Sequence, residues 1–235
     1  MTASFDTENL NSSIMENEWN EDDLKAVGSQ LSSPNGEAGK KTGERMAVSN
    51  ENMIKRTIDA MKLSDGQQVL EIGPGNASHL SMLMAQAKGL QYTGIDISET
   101  MIEEAIRINQ EFVNAGVANF TLSDGIHIDF PAQSFHKIFT VNTLYFWKDP
   151  SGYATEIYKA LKSGGYFCIG FADKNFMEQL PFTKWDFQLY DTQMVKDLLE
   201  DIGFEVIKVW EEKEQVTNNI GMDVKRDIIV ITAGK

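Results

Sequence analysis

Apolar residues follow two alternating rhythms from Ser49 onward. Met53, Ile54, Ile58 and Met61 recur at helical spacing behind Ser49 or Asn50 as a cap, and the stretch then passes into the short apolar strand Gln68–Ile72. The exchange repeats. Helices are predicted over Leu80, Leu83, Met84 and Ala87 with Asn76 as N-cap and Gly89 as C′ residue, and over Met101, Ile102, Ala105, Ile106, Phe112 and Val113 behind Ser98. Two more follow, through Ile157 and Leu161 behind Asp149-Pro150, and with Met194, Val195, Leu198, Leu199 and Ile202 inward between Asp191 and Gly203. Strands are predicted at Tyr92–Ile95, Phe120–Leu122, Lys137–Val141, Tyr166–Phe171, Phe204–Trp210 and Asp227–Thr232. Helices between strands imply a mostly parallel sheet covered on both faces. The last two strands have no helix between them, so the sheet should close with an antiparallel pair.

Residues 1–45 follow neither rhythm. Leu10, Ile14, Met15 and Trp19 make one weak apolar stripe, Ser33-Pro34-Asn35-Gly36 reads as a turn, and Gly36, Gly39 and Gly43 are spaced through a polar stretch. The expectation is an acidic segment 1–45, mobile or lid-like, ahead of a single domain 46–235. Within it Lys40, Lys41 and Arg45 form a basic cluster that could meet a ligand carboxylate.

The chain of 235 residues carries a formal net charge of −14, of which residues 1–25 hold −6. A field of that sign repels phosphate backbones and anionic lipid, which argues against nucleic acid as a partner. No apolar run approaches the roughly 18–20 residues of a membrane helix, and the start lacks a signal-peptide pattern, so no membrane insertion and a cytoplasmic location are expected. Cys168 is the one cysteine and reads as a small core residue; no Cys/His cluster calls for a metal. Oligomeric state is left open.

The informative stretch is Val69-Leu-Glu-Ile-Gly-Pro-Gly-Asn76, between a strand and the next predicted helix, where open α/β sheets bind nucleotides. Gly73 and Gly75 allow a sharp turn and a close backbone approach to a ligand. Asp96 ends the second strand 21 residues after Gly75, where an acid can accept from ribose hydroxyls. A dinucleotide fits poorly: Pro74 has no N–H, Ser78 stands at the third-glycine position, and Glu71 would repel a pyrophosphate. The same carboxylate would favour a cationic nucleoside.

Glu71-Ile-Gly-Pro-Gly75, Gly94-Ile-Asp-Ile-Ser98, Ser123-Asp-Gly125, Val141-Asn-Thr-Leu-Tyr-Phe-Trp147 and Leu161-Lys-Ser-Gly-Gly165 together resemble the ordered motifs of class I S-adenosylmethionine-dependent methyltransferases. The resemblance covers about residues 45–235 and is closest to the small-molecule branch with the ubiquinone/menaquinone-type enzymes. It implies a Rossmann-like α/β fold, a seven-stranded sheet of order 3-2-1-4-5-7-6 with the last strand antiparallel, and S-adenosylmethionine as cofactor. It also implies roles. Gly73, Pro74 and Gly75 would line the methionyl and ribose part, Glu71 would lie near the amino group, and Asp96 would bind the ribose diol. Ile97 and Met101 would flank the adenine, with Asp124 and Gly125 at its edge, and Asn142 would face the methyl donor.

An activated methyl donor needs alignment and exclusion of water more than a covalent residue, so the lack of a nucleophile–base set is no obstacle. The acceptor side is expected to be aromatic. Tyr145, Phe146 and Trp147 follow a strand end, and Phe176, Phe182, Trp185, Phe187 and Tyr190 crowd one long connection. Tyr145, Trp147 and Trp185 are the candidates for a small-molecule acceptor; His127 and Tyr145 are the candidate proton-transfer groups. Other readings are a non-catalytic cofactor-binding protein, a nicotinamide oxidoreductase, and an amino-group methyltransferase suggested by Asn142-Thr-Leu-Tyr145, acting on protein or nucleic acid.

Overall fold

The computed structural model describes residues 20–217 and 223–235. The stripe Leu10–Trp19 lies outside the described residues. Seven strands form one sheet in the order β3-β2-β1-β4-β5-β7-β6, as the motifs implied. They are β1 Gln68–Ile72, β2 Gln91–Asp96, β3 Ala118–Leu122, β4 Phe135–Val141, β5 Leu161–Ala172, β6 Glu205–Thr217 and β7 Asp223–Gly234. The first five pair in parallel, while β7 runs antiparallel to both β5 and β6. Strands β1 and β4 are buried almost throughout because helices cover both faces. Alternate residues feed two cores: Leu70, Ile138 and Phe167 on one face, Val69, Phe139 and Cys168 on the other.

Local chemistry explains most helix boundaries. The helices are α1 Glu21–Ser32, α2 Gly36–Ser49, α3 Glu51–Ala60, α4 Leu80–Met84, α5 Glu99–Ile108, α6 Gln110–Asn114, α7 Pro150–Ala160, α8 Lys174–Met177 and α9 Thr192–Ile202. Ser98 caps α5 through Met101 N–H, Asp149 caps α7 through Gly152 N–H, and Asp191 caps α9, which Gly203 ends at φ +108°.

Three expectations needed correction. Asn76 does not cap a long helix; its Oδ1 accepts from Ser78 N–H at 3.2 Å, and the short α4 starts only at Leu80. The helix expected after Ser98 is broken in two at Asn109. That buried side chain donates to Ala105 O (2.9 Å) and Ala77 O (3.1 Å), tying the break to the turn before α4. Met194, expected inward, is exposed.

Helices α1 and α2 sit on the carboxyl edge of the sheet. Ser98 Oγ donates to Pro34 O at 2.5 Å, and Gly36 N–H donates to Thr100 Oγ1 at 3.1 Å. Gly43 lets α2 approach α5, since a Cβ there would lie 2.7 Å from Met101 Sδ. The spaced glycines thus lie in a helix, and Gly43 among them makes its contact with α5.

Candidate active site

Register aligns Ile72 of β1 with Ile95 of β2 and Thr140 of β4, so the loops that follow open at one edge. The chain after β1 leads to β2 on one side while β4 lies on the other; such a switch point leaves a crevice. A cleft of about 1020 Å³, its open mouth included, occupies it. Gly73 and Gly75 both have positive φ, +69° and +57°. At Gly73 a Cβ would lie 2.3 Å from Thr143 Cγ2, so any side chain would wedge the β1 and β4 loops apart. At Gly75 a Cβ would point into open space, which leaves the backbone bare toward the cleft.

Two acids define the cleft electrostatically. Asp96 is buried; its two oxygens accept from Gly75 N–H (3.1 Å) and Ser98 N–H (2.9 Å). Burial nevertheless pushes its carboxyl up to about 6, and the nearby Glu71 charge adds to the rise. Glu71 is 2% exposed, and its Oε2 meets Tyr92 O–H at 2.5 Å and His79 Nε2 at 2.9 Å. Burial and that carboxylate hold the Tyr92 hydroxyl well above its usual range. Among the described residues lining the cleft there is no lysine or arginine. A cavity with two buried acids and no lysine or arginine suits a cationic ligand bearing hydroxyl donors, which fits the ammonium, sulfonium and ribose of S-adenosylmethionine. It does not suit a pyrophosphate.

Pro74, Ile97, Met101, Gly125, Asn142 and Trp147 also line the cleft. Asp124 does not. It is half exposed and turned to His127, whose Nδ1 lies 2.6 Å away, while Ile126 and His127 N–H also bond to it. These bonds hold the Asp124 carboxyl down to about 2 and raise His127. His127 is 61% exposed and lines no part of the cleft, which removes the geometric basis for using it as a base. Lys40, Lys41 and Arg45 are also outside the lining; Lys40 pairs with Glu37 at 3.0 Å.

Beyond the carboxyl end of β4, Asn142 has φ +58°, a conformation rare for a non-glycine residue. Its Oδ1 accepts from Tyr145 O–H at 3.1 Å, and its Nδ2 donates to Asn50 Oδ1 at 3.1 Å. Tyr145 is buried and faces a second cavity of about 600 Å³. Burial pushes its hydroxyl far above the usual range, so it is no proton acceptor near neutral pH. Phe176, Phe182 and Phe187 join it there, with Phe187 stacked edge-on against Phe146 at 4.7 Å. Leu31, Met46, Asn50, Asn142 and Phe146 line both cavities. Trp185 lines neither and stacks instead under Lys25 of α1.

Several residues escaped sequence reasoning. His79 falls between Asn76 and Leu80, inside the helix the capping pattern predicts, and the late start of α4 leaves it against Glu71. Asn50 was read as a helix cap; it stands at the cap position, yet its side chain bonds to Asn142 and Arg226. Arg226, 8% exposed, had no local signal at all.

Residues 70–169 match the family described as Methyltransferase domain. An uncharacterized methyltransferase, YdaC of Bacillus subtilis, is 27% identical over 71% of this chain and 87% of its own length. The O-methyltransferase resE of Aspergillus sclerotiorum is 27% identical over 54% of this chain and 47% of its own. A 2-methyl-6-phytyl-1,4-hydroquinone methyltransferase of Synechocystis is 27% identical over 53% of this chain and 38% of its own. The chain thus spans less than half the length of the latter two. The fold is shared with phosphoethanolamine N-methyltransferase 2 of Haemonchus contortus, solved with S-adenosylhomocysteine, at a TM-score of 0.67 and 17% identity over 90% of this chain and 60% of that one.

Proposed function

We propose, for a chain that is a class I S-adenosylmethionine-dependent methyltransferase, that it methylates a small molecule bound in the aromatic cavity beside the acid-lined cleft. The observation that carries this reading is the shared wall: Leu31, Met46, Asn50, Asn142 and Phe146 face both spaces. The narrower likeness to quinone-type enzymes draws support from one relative named for a hydroquinone. The resE relative is named for O-methylation and the Haemonchus neighbour for N-methylation, so names alone leave the acceptor atom open.

Bound S-adenosylmethionine supplies a methyl group already activated by a sulfonium. The chain's own residues then bind, orient and exclude water. Asp96 accepts from the ribose hydroxyls, and Glu71, held by Tyr92 and His79, faces the cationic end. The bare backbone at Gly73 and Gly75 lets the donor seat against the loop, with Pro74 beside it, while Ile97, Met101 and Gly125 enclose the adenine. Asn142 stands at the junction with the acceptor cavity. Helices α1 and α2 act as a lid over both spaces, through Leu31, Pro34, Met46 and Ala47. Fixing donor and acceptor in line can supply roughly 7–11 kcal/mol of barrier reduction without covalent catalysis.

The −14 charge and the lack of a basic lining favour a small acceptor over nucleic acid. No helix among the described residues is long and apolar enough to cross a membrane. Calorimetry with S-adenosylhomocysteine tests the donor half, and a screen of small acceptors for S-adenosylhomocysteine release tests the other half. Failure of the wild-type protein to bind S-adenosylhomocysteine would sink the proposal.

A further inference from the structure

The second cavity has a polarity that can be read from one residue. An arginine only donates hydrogen bonds. Arg226 gives Nε–H to Glu214 Oε1 at 2.6 Å, one terminal nitrogen to Ser49 O at 2.5 Å and the other to Asn50 Oδ1 at 3.1 Å. Asn50 must therefore present its oxygen to Arg226. Asn142 Nδ2 donates to that same oxygen at 3.1 Å, so Asn142 presents nitrogen here and leaves its own oxygen to Tyr145 O–H. Tyr145 in turn accepts from Ala172 N–H at 2.7 Å. Each amide orientation follows from the one before it. Asn50 Oδ1 accepts from both Arg226 and Asn142, while Asn142 Oδ1 shares the single Tyr145 hydroxyl proton with Ala172 O, each at 3.1 Å. Asn50 Nδ2 donates to no partner among the described residues, and Asn142 Nδ2 keeps a second hydrogen.

Resting on the methyl-transfer reading, we propose that the acceptor is a neutral, mainly apolar phenol or enol methylated on its hydroxyl oxygen. The spare amide hydrogens of Asn50 and Asn142 would hold that oxygen, and Arg226 is the positioning residue that turns them toward it. Both asparagines line the two cavities at once, so their free donors stand at the boundary between donor and acceptor. A site with spare N–H groups matches an oxygen lone pair. A hydroxyl oxygen has two lone pairs, one to accept such an N–H and one to form the new bond, whereas a neutral amine nitrogen has only the one that methyl transfer uses. Charge points to a neutral molecule, because Arg226 and Glu214 form a closed pair, 8% and 7% exposed at their side chains. An added anion or cation would lie buried without a counter-ion.

Apart from Ser49, the rest of the lining is apolar, with Phe176, Met177, Leu180, Phe182, Val216 and Val224 among it. Tyr145 and Arg226 are its ionisable groups among the described residues, and neither takes up a proton near neutral pH. The hydroxyl must therefore be acidic by itself, as in a phenol or enol. Its oxygen supplies the electron pair of the new O–CH₃ bond while the S–CH₃ bond breaks. The sulfur keeps that bonding pair as a neutral thioether, and the hydroxyl proton passes to water.

Calorimetry on the full chain saturated with S-adenosylhomocysteine compares 4-butylphenol, 4-butylaniline and 4-butylbenzoate. The phenol is expected to bind about tenfold tighter than the other two. Asn50→Asp keeps an oxygen for Arg226 and Asn142 but replaces the spare donor. With the chain kept saturated with S-adenosylhomocysteine, it should weaken the phenol about tenfold. The paired change Arg226→Met with Glu214→Met should erase the preference for phenol over aniline; a purely structural role would weaken both probes alike. With S-adenosylmethionine, mass spectrometry should find the phenol methyl ether. Equal binding of phenol and aniline overturns the inference, as does a phenol affinity unmoved by Asn50→Asp. If S-adenosylhomocysteine binds and none of the three probes does, the inference fails alone. If S-adenosylhomocysteine itself does not bind, the methyl-transfer reading falls with it.

Discussion

The two adjoining cavities treat buried charge in opposite ways. In the donor cleft, Glu71 and Asp96 are buried acids whose partners are N–H and O–H donors plus His79, with no lysine or arginine among the described lining residues. Beside the second cavity, its lining residue Arg226 closes on Glu214 at 2.6 Å. An incomplete charge balance prepares a site for a charged ligand, and a complete one prepares it for a neutral ligand. The two also differ in origin. Glu71, Asp96, Gly73, Gly75 and Gly125 of the cleft lie within residues 70–169, the stretch that matches the methyltransferase family. The second cavity takes Asn142, Tyr145 and Phe146 from that stretch and most of its other residues from α2, the connection after β5 and the last two strands.

The largest effect should come from the donor side. Asp96→Ala leaves Gly75 and Ser98 N–H without their acceptor and removes the ribose partner, and Gly73→Val drives a side chain into Thr143. Each is expected to abolish S-adenosylhomocysteine binding by calorimetry while circular dichroism shows a folded chain. Retained binding in Asp96→Ala would erase the contrast. Next comes Arg226→Met, which leaves Glu214 buried without its counter-ion and should cost about 3–5 kcal/mol in denaturant unfolding. Adding Glu214→Met should restore most of it; no restoration would mean the pair is not closed on itself.

The pH effect is intermediate. Burial raises the Asp96 carboxyl to about 6 in the free protein, whereas ribose hydroxyls favour its ionised form. Binding therefore expels a proton below that value, and affinity should fall up to about tenfold per pH unit as pH drops from about 6 to about 5. For folding of the free protein the sign is opposite. A raised carboxyl contributes stability that is full below its unfolded value and lost as pH rises through about 6, so Asp96 opposes folding at neutral pH. Titration calorimetry and thermal melts across this range should show the two trends crossing. The smallest effect is expected for His127→Ala, since His127 stands outside both cavities; turnover should change by less than about twofold.

Much of the donor side was legible in the sequence because its signals are local. A strand, two glycines that must take positive φ, and an acid at the next strand end each follow from neighbouring residues. Where local reading failed, a distant partner had decided the outcome. Asn76 looked like a cap and closed an Asx turn instead, Asn109 broke a helix to reach Ala77, and Asp124 turned to His127 and away from the cleft. Aromatic enrichment picked out Tyr145, Phe182 and Phe187, which line the second cavity, but it could not exclude Trp185, which packs under Lys25 outside it.

By itself the sequence determined the strand–helix alternation, the antiparallel ending and a cationic nucleoside as ligand. Each depends on periodicity, backbone freedom or the sign of a charge within a few residues. Tertiary structure alone decided the second cavity. Asn50, Asn142 and Arg226 are far apart along the chain, and their amide orientations follow from a hydrogen-bond chain that exists only once α3, β4 and β7 have come together.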